Sequence, residues 1–446
     1  MLSANAGNSW HVAYVLFVFC MAIVSTSSSA IAQIPSAYDI QIIDISVLNP
    51  PAGNPQIPKG INNAGQVLFG EKSGVKGVWD PSGVVYPLPV NTADAINNHG
   101  WVVGHGPQTI VDQGIKDNAV AAVYNIYTDT LIEVPTWLDD RPDLIPNAGS
   151  IDQYDDDVET KFYGVNDLGI AVGRTKNGED PRWQPFSYDI NSGEYYPFKR
   201  TVPVGDSGSR QAYPDIDGNH AINNNNVALG DEELRSNTGL DVVVWNAANA
   251  DYADMEIVQL PDGTGIVPGP GESNGQSIAL NDNNTVLMRT TGGTTDYVLV
   301  DFDPSTNGVA FRTEIPLRSG YLASDHFFHD MTDSEVLLGE TGTSTPSGYE
   351  TENILWTDST GYVPVQSLLS STWSGWTITE AFWMNDNHQL VAQALDPLGQ
   401  SHTVLLNPVP EPASGLLLLS AFSSLVLGQR LGRKSKPANN RHPDFA

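Results

Sequence analysis

The sequence predicts an all-β fold, a seven-bladed β-propeller closed by its own first strand. Three observations point there. A turn-centred motif recurs seven times, a second strand motif follows each copy, and the last unit lacks a strand of the kind with which the chain begins.

The first motif reads INNAGQVLFG from Ile61, AINNHGWVVG from Ala95, GVNDLGIAVG from Gly164 and AINNNNVALG from Ala221. It continues as ALNDNNTVLM from Ala279, DMTDSEVLLG from Asp330 and WMNDNHQLVA from Trp383. Asn and Asp hydrogen-bond their own backbone and tolerate φ > 0, so the centre predicts a tight turn, with φ > 0 expected at Asn97 and Asn223. The run that follows does not alternate, which predicts a strand buried on both faces. Next comes a third strand ending in Asp or Asn: GVWD at Trp79, AAVYN at Tyr124, PFSYD at Tyr188, VVVWN at Trp245, YVLVD at Leu299, NILWTD at Trp356 and TVLLN at Leu405. A fourth strand is readable in the first three units only (VVYPLPV, TLIEVP, EYYPFK).

The aligned positions Asn62, Asn97, Asn166, Asn223, Asn281, Thr332 and Asn385 are spaced like four-stranded propeller blades. The short first step predicts a minimal blade, and the long second step an insertion from Leu138 to Thr160. The segment Tyr38–Ser46 has no unit before it and is expected to pair with Thr403–Asn407. That pairing would complete the last blade and leave no open edge. An open repeat array or a pair of sandwiches is the alternative.

These repeats resemble the HAF-type extracellular repeats, short Asn-Gly repeats of exported bacterial proteins. The resemblance implies architecture and no activity. Thr332 and Ser334 depart from it in the sixth copy.

The ends read as addresses. Val12–Val24 is almost wholly apolar and is followed by Ala30-Ile31-Ala32, a signal-peptide pattern over 1–32. An uncleaved anchor is the alternative. The C-terminal region carries Val409-Pro410-Glu411-Pro412, an apolar stretch from Ala413 to Gly428, and a basic tail with Arg430, Arg433 and Lys434. Motif, span and basic tail together resemble the PEP-CTERM sorting signal of Gram-negative bacteria. The resemblance implies a membrane-sorting helix, an exosortase-type enzyme as partner, and cleavage near the Pro-Glu-Pro motif. A simple membrane anchor is the alternative. The expected organisation is therefore a signal peptide (1–32), a propeller (33–408), a sorting signal (409–436) and a tail (437–446), with the membrane touched only through the span before processing. The product belongs in the cell envelope, on the cell surface or outside.

Composition narrows the function classes. The formal net charge is −31, and five basic residues lie beyond the last apolar run, so the body is more acidic still. Such a surface repels nucleic acid and anionic lipid. The lone cysteine, Cys20, falls inside the signal segment, so thiolate chemistry is not expected of the mature body. Two acidic stretches exceed turn needs: Asp155 and Asp157 in the insertion, and Asp215 and Asp217 before the fourth hairpin. Carboxylates in loops suit Ca²⁺, and these four are the metal candidates. The His pairs His99/His105 and His326/His329 lack a third zinc ligand at the right spacing. Trp137 and Trp376 could stack on sugars, though Trp at such positions is more often core. No nucleophile, phosphate-loop or dinucleotide motif is present, and no catalytic residue is assigned. The reading is a non-catalytic surface or matrix protein binding a polysaccharide or a surface protein. The alternative is a secreted polysaccharide hydrolase or lyase using loop carboxylates from several blades.

The signal reading makes one direct prediction. The mature protein begins at Gln33, as mass spectrometry of the purified N-terminus will show; a product that still carries Met1 contradicts it.

Overall fold

The computed structural model describes residues 33–50, 57–70, 75–106, 120–134, 159–176, 184–198, 211–213, 221–233, 240–247, 255–257, 276–289, 297–304, 308–322, 325–345 and 348–410. The fold is an all-β propeller. Its strands form seven four-stranded antiparallel sheets, six of them plain meanders. The first sheet is Pro58–Ile61, Val67–Phe69, Gly77–Trp79 and Val85–Pro87 (β2–β5). The second is Thr92–Ile96, Trp101–His105, Ala121–Asn125 and Thr130–Val134 (β6–β9). The third is Glu159–Val165, Ile170–Lys176, Gln184–Asp189 and Glu194–Pro197 (β10–β13). The fourth is Gln211–Tyr213, Val227–Glu233, Leu240–Asn246 and Met255–Ile257 (β14–β17). The fifth is Gln276–Leu280, Thr285–Arg289, Tyr297–Asp303 and Gly308–Ile315 (β18–β21). The sixth is His326–Met331, Leu337–Thr345, Gly348–Thr357 and Gly361–Pro364 (β22–β25).

The seventh sheet is built differently. Thr377–Met384, Leu390–Leu395 and Ser401–Pro408 (β26–β28) supply three strands, and the fourth is Tyr38–Ile42 (β1) from the start of the chain. β1 runs antiparallel to β28 with Tyr38 opposite Pro408 and Ile42 opposite Val404. This is the partner expected from sequence, but the strand is shorter than Tyr38–Ser46. One further bond runs from Ile43 N–H to Thr403 O. Then Asp44 Oδ1 accepts the Ser46 N–H at 2.9 Å and turns the chain into a short 3-10 segment, Ser46–Leu48.

The sheets pack face to face through the strands that do not alternate. Val67, Leu68 and Phe69 of β3 are fully buried. Each such side chain contributes about 1.5–3 kcal/mol through burial. Every neighbouring pair of sheets shares an apolar cluster, and the seventh packs on the first. Val391 and Leu405 lie against Ile61, Val67 and Phe69, and Trp383 Nε1–H donates to Pro58 O at 3.1 Å.

Two expectations about boundaries change. A fourth strand is present in all seven sheets, including β17, β21 and β25, where sequence showed none. The insertion ends earlier than Thr160, because β10 begins at Glu159. The first sheet is minimal, as the short first step predicts, with strands of three or four residues.

A recurrent irregularity shapes the inner strands. β2, β6, β10, β18, β22 and β26 each break register three residues before the aligned turn position, as at Lys59, Asp94 and Tyr163. Such bulges kink the strand and increase its twist. They also press the inner backbone onto the neighbouring strand. A Cβ on Gly173 would sit 2.0 Å from Lys161 O, and one on Gly104 would sit 2.2 Å from Thr92 O. The glycine that often closes the motif is therefore a close-approach residue.

The segment 1–32 and the residues from Glu411 onward, including the sorting span, lie outside the described residues. Among the described residues no helix is long and apolar enough to cross a membrane.

Deleting Tyr38–Ser46 removes four buried side chains, Tyr38, Ile40, Ile43 and Ile45, and uncovers the edge of β28. The expected cost is about 6–12 kcal/mol, with a broadened thermal transition and concentration-dependent aggregation. A variant as cooperative and as soluble as the parent would show that β1 is dispensable.

Candidate functional site

The seven turns of the first motif converge at one end of the propeller axis, where residues from all seven line a single mouth. The cavity there is about 100 Å³, room for roughly three water molecules, and far below the 300 Å³ or more usual for a small-molecule pocket.

The first position of each turn is a hydrogen-bond hub. Asn97 is 4 % exposed. Its Oδ1 accepts the N–H of His99 and of Trp101, both at 3.0 Å, and its Nδ2 donates across the seam to Asn166 O at 2.8 Å. The same cross-seam donation runs from Asn62 to Asn97 O, Asn166 to Asn223 O, Asn223 to Asn281 O, Asn281 to Thr332 O, and Asn385 to Asn62 O. Only Thr332 has no amide to give. Its Oγ1 still accepts the Val336 N–H at 3.0 Å, so it keeps the turn but not the seam bond.

This corrects the expected backbone geometry. The positive φ falls not at Asn97 or Asn223 but three residues after the hub, in every copy: Gly65, Gly100, Gly169, Asn226, Asn284, Glu335 and His388. Asn tolerates φ > 0 and also makes buried side-chain bonds, and here the second property placed it.

The second position forms a complete ring. The Asn63 N–H donates to Asn98 Oδ1, Asn98 N–H to Asp167 Oδ1, and Asp167 N–H to Asn224 Oδ1. Asn224 N–H then donates to Asp282 Oδ1, Asp282 N–H to Asp333 Oδ1, Asp333 N–H to Asp386 Oδ1, and Asp386 N–H back to Asn63 Oδ1. All seven distances lie between 2.6 and 2.9 Å. The side chains also bond one another. Asn98 Nδ2 donates to Asp167 Oδ2 at 2.7 Å, Asn224 Nδ2 to Asp282 Oδ2 at 2.8 Å, and Asn63 Nδ2 to Asp386 Oδ2 at 2.8 Å.

The mouth is acidic. Asp167, Asp282, Asp330, Asp333 and Asp386 line it, and none of its lining residues is Lys, Arg or His. Burial first, and the Asp386 carboxylate second, push the Asp333 carboxyl up to about 7. Below the ring, Asp330 is fully buried and its Oδ2 accepts the Met384 N–H at 2.6 Å.

Of the residues singled out from sequence, none lies in this ring. The metal candidates Asp155, Asp157, Asp215 and Asp217 lie outside the described residues, as do Glu411, Pro412, Arg430, Arg433 and Lys434. Among the described residues no group of three or more His, Cys, Asp or Glu could hold a metal ion. Val409 and Pro410 leave the outer edge of the seventh sheet, where Val409 N–H donates to Ala37 O at 2.9 Å. His326 is a core group: its Nδ1 lies 2.9 Å from Leu322 O, and its Nε2 accepts the Arg318 N–H at 3.1 Å. Trp376 is half-buried against Trp373 and His402. In the sequence the ring residues read as turn formers alone. Their signal was present as an Asn or Asp directly after every hub.

Asn97→Ala and Asn223→Ala each strip partners from two N–H groups and one carbonyl in a buried turn. Each should cost about 2–4 kcal/mol in thermal or denaturant unfolding. Thr332→Asn supplies the missing donor to Asn385 O and should add about 0.5–1.5 kcal/mol. Unchanged stability in all three would contradict the hub.

No protein-family model matches this chain, and no curated protein matches it. Solved structures of propellers are similar to it at low identity. An oligogalacturonate lyase in complex with manganese is 12 % identical, covers 85 % of this chain and 97 % of its own, and has a TM-score of 0.42. The oligogalacturonate lyase of Vibrio parahaemolyticus is 11 % identical over 84 % of this chain and 97 % of its own, with a TM-score of 0.44. The β-propeller domain of the trilobed protease from Pyrococcus furiosus is 10 % identical over 70 % of this chain and 84 % of its own, with a TM-score of 0.37.

Proposed function

We propose that this chain is an exported protein of the cell surface or extracellular matrix, processed at a C-terminal sorting signal. In this reading its body is a closed seven-bladed propeller that serves as a non-catalytic scaffold binding polysaccharide or a surface protein. The observation that carries the reading is the commitment of the axial polar groups. Every second-position Oδ1 accepts a backbone N–H from the next sheet. Carboxylates used that way hold blades together. The seven sheets, the β1–β28 pairing and the contact of the seventh sheet with the first support the closed count. The small mouth favours a ligand lying across the face over one swallowed by it. An acidic, amide-rich face suits hydroxyl-rich chains or basic protein segments.

A secreted polysaccharide hydrolase or lyase is the second reading. One observation favours it: Asp333, at about 7, sits where a general acid operates near neutral pH.

The test uses the full chain in a host with a sorting system and the purified body with the polysaccharide made by the producing cells. The expected results are a membrane-held precursor that is lost when 409–436 is deleted, and saturable binding with the polymer left intact. Release of oligosaccharide would establish the second reading. A cytoplasmic body that binds neither polymer nor cell surface would overturn both.

A further inference from the structure

Around the second-position ring the side chains run Asn63, Asn98, Asp167, Asn224, Asp282, Asp333, Asp386. Each carboxylate needs its Oδ2 satisfied after Oδ1 has accepted a backbone N–H. Asp167, Asp282 and Asp386 obtain an amide donor from Asn98, Asn224 and Asn63 respectively. Asp333 does not: its ring neighbours are Asp282 on one side and Asp386 on the other. The same turn carries the other departures from the repeat. Thr332 makes no amide bond to Asn385 O. Ser334 stands where Asn283 and Asn387 donate across their seams, and it turns to His388 instead, with Oγ 2.8 Å from Nε2.

We propose that the seam between the sixth and seventh sheets is a proton-operated latch: a carboxyl proton carried by Asp333 and shared with Asp386 supplies the donor that an amide supplies elsewhere in the ring. With the proton present, Asp333 O–H donates to an Asp386 carboxylate oxygen and the seam is closed on both oxygens. With it lost to solvent, three adjacent carboxylates face each other across two seams and repel. The groups facing Asp333 offer no counter-charge. The fifth sheet's turn presents Asp282, and the seventh presents Asp386 together with His388, which burial holds below the usual imidazole range. Beneath lies Asp330, and across the mouth lies Asp167. On its own turn Glu335 is paired with Arg312, which is already occupied. The raised Asp333 carboxyl agrees with this arrangement. Its folded-state value lies above its unfolded one, so the folded chain binds the proton more tightly. The resulting stability is present below about pH 4 and is lost as pH rises towards 7.

The experiment compares wild type, Asp333→Asn and Asp167→Asn, each as the mature protein in EDTA, by denaturant unfolding between pH 5 and pH 8. An amide at 333 supplies a permanent donor. The advantage of Asp333→Asn over wild type should therefore grow by about a hundredfold in the unfolding equilibrium across that range, the roughly two pH units between pH 5 and the folded-state value of about 7. Asp167→Asn removes an acceptor shared by two amides and should destabilise with no such trend. Proton release gives an independent readout: unfolding near pH 6 should free roughly one more proton from wild type than from Asp333→Asn. An Asp333→Asn effect that does not vary with pH, or equal proton release from the two proteins, would overturn the latch.

Discussion

The fold depends on one buried side chain repeated around an axis. Where inner strands turn at the axis, their N–H and C=O groups point at neighbouring sheets that cannot pair with them as a ladder. A buried backbone group left unpaired costs about 1–3 kcal/mol, and each turn exposes several. Asn answers with one short side chain. In Asn223, Oδ1 closes the turn by accepting from Asn225 and Val227, while Nδ2 crosses the seam to Asn281 O. Asp could not donate, and Gln would not fit the same local turn. The hub therefore ties local structure to quaternary-like packing between sheets, and it does so through groups that are 4–5 % exposed.

The sterics of the inner strands follow from the same convergence. Sheets meeting at an axis must twist, and the repeated bulge three residues before the hub supplies that twist. Its consequence is local crowding. At Gly339 an added Cβ would lie 2.4 Å from Phe327 O, which is why the motif ends in glycine where the bulge presses hardest. The glycine that closes the motif is a point of close contact within the sheet.

Much of the architecture is legible in the chain because turn chemistry is local. The unalternating runs VLF and VAL mark strands buried on both faces, and Tyr38–Ile42 is recognisable as a strand with no copy of the repeat motif before it. What is not legible depends on groups far apart in sequence. Asn97 meets Asn166 O across 69 residues, and no local pattern distinguishes that role from a left-handed turn position. β17 escapes notice because three residues, Met255–Ile257, carry too little pattern to define a strand. The ring itself was visible only as turn-forming Asn and Asp. Its function as a hydrogen-bonded circle emerges when seven turns are brought to one point.

Seven is odd, and that has a chemical consequence. A ring of amides and carboxylates is best satisfied by strict alternation, each amide donating to a carboxylate beside it. An odd ring must place two like groups together somewhere. Asn63 beside Asn98 is a harmless solution, since each amide finds a carboxylate on its other side, Asp386 and Asp167. That one defect would suffice if position 333 held an amide. The chain instead carries a second defect, three carboxyls in succession, and places it in the turn that also lacks the hub amide at 332 and the cross-seam amide at 334. Three departures at one seam concentrate the weakness of the ring there. The neighbouring strands compensate from below: Asp330 accepts the Met384 N–H, and Asn353 Oδ1 accepts the Ala381 N–H at 2.8 Å. The sixth and seventh sheets are thus joined by deep bonds made along their strands and by the Asp333 N–H to Asp386 bond at the axis, while the remaining carboxyl contact of that seam is left to a titratable group. A ring whose other carboxylates each accept an amide has one contact left to a carboxyl proton, and the chemistry of that contact responds to the medium outside.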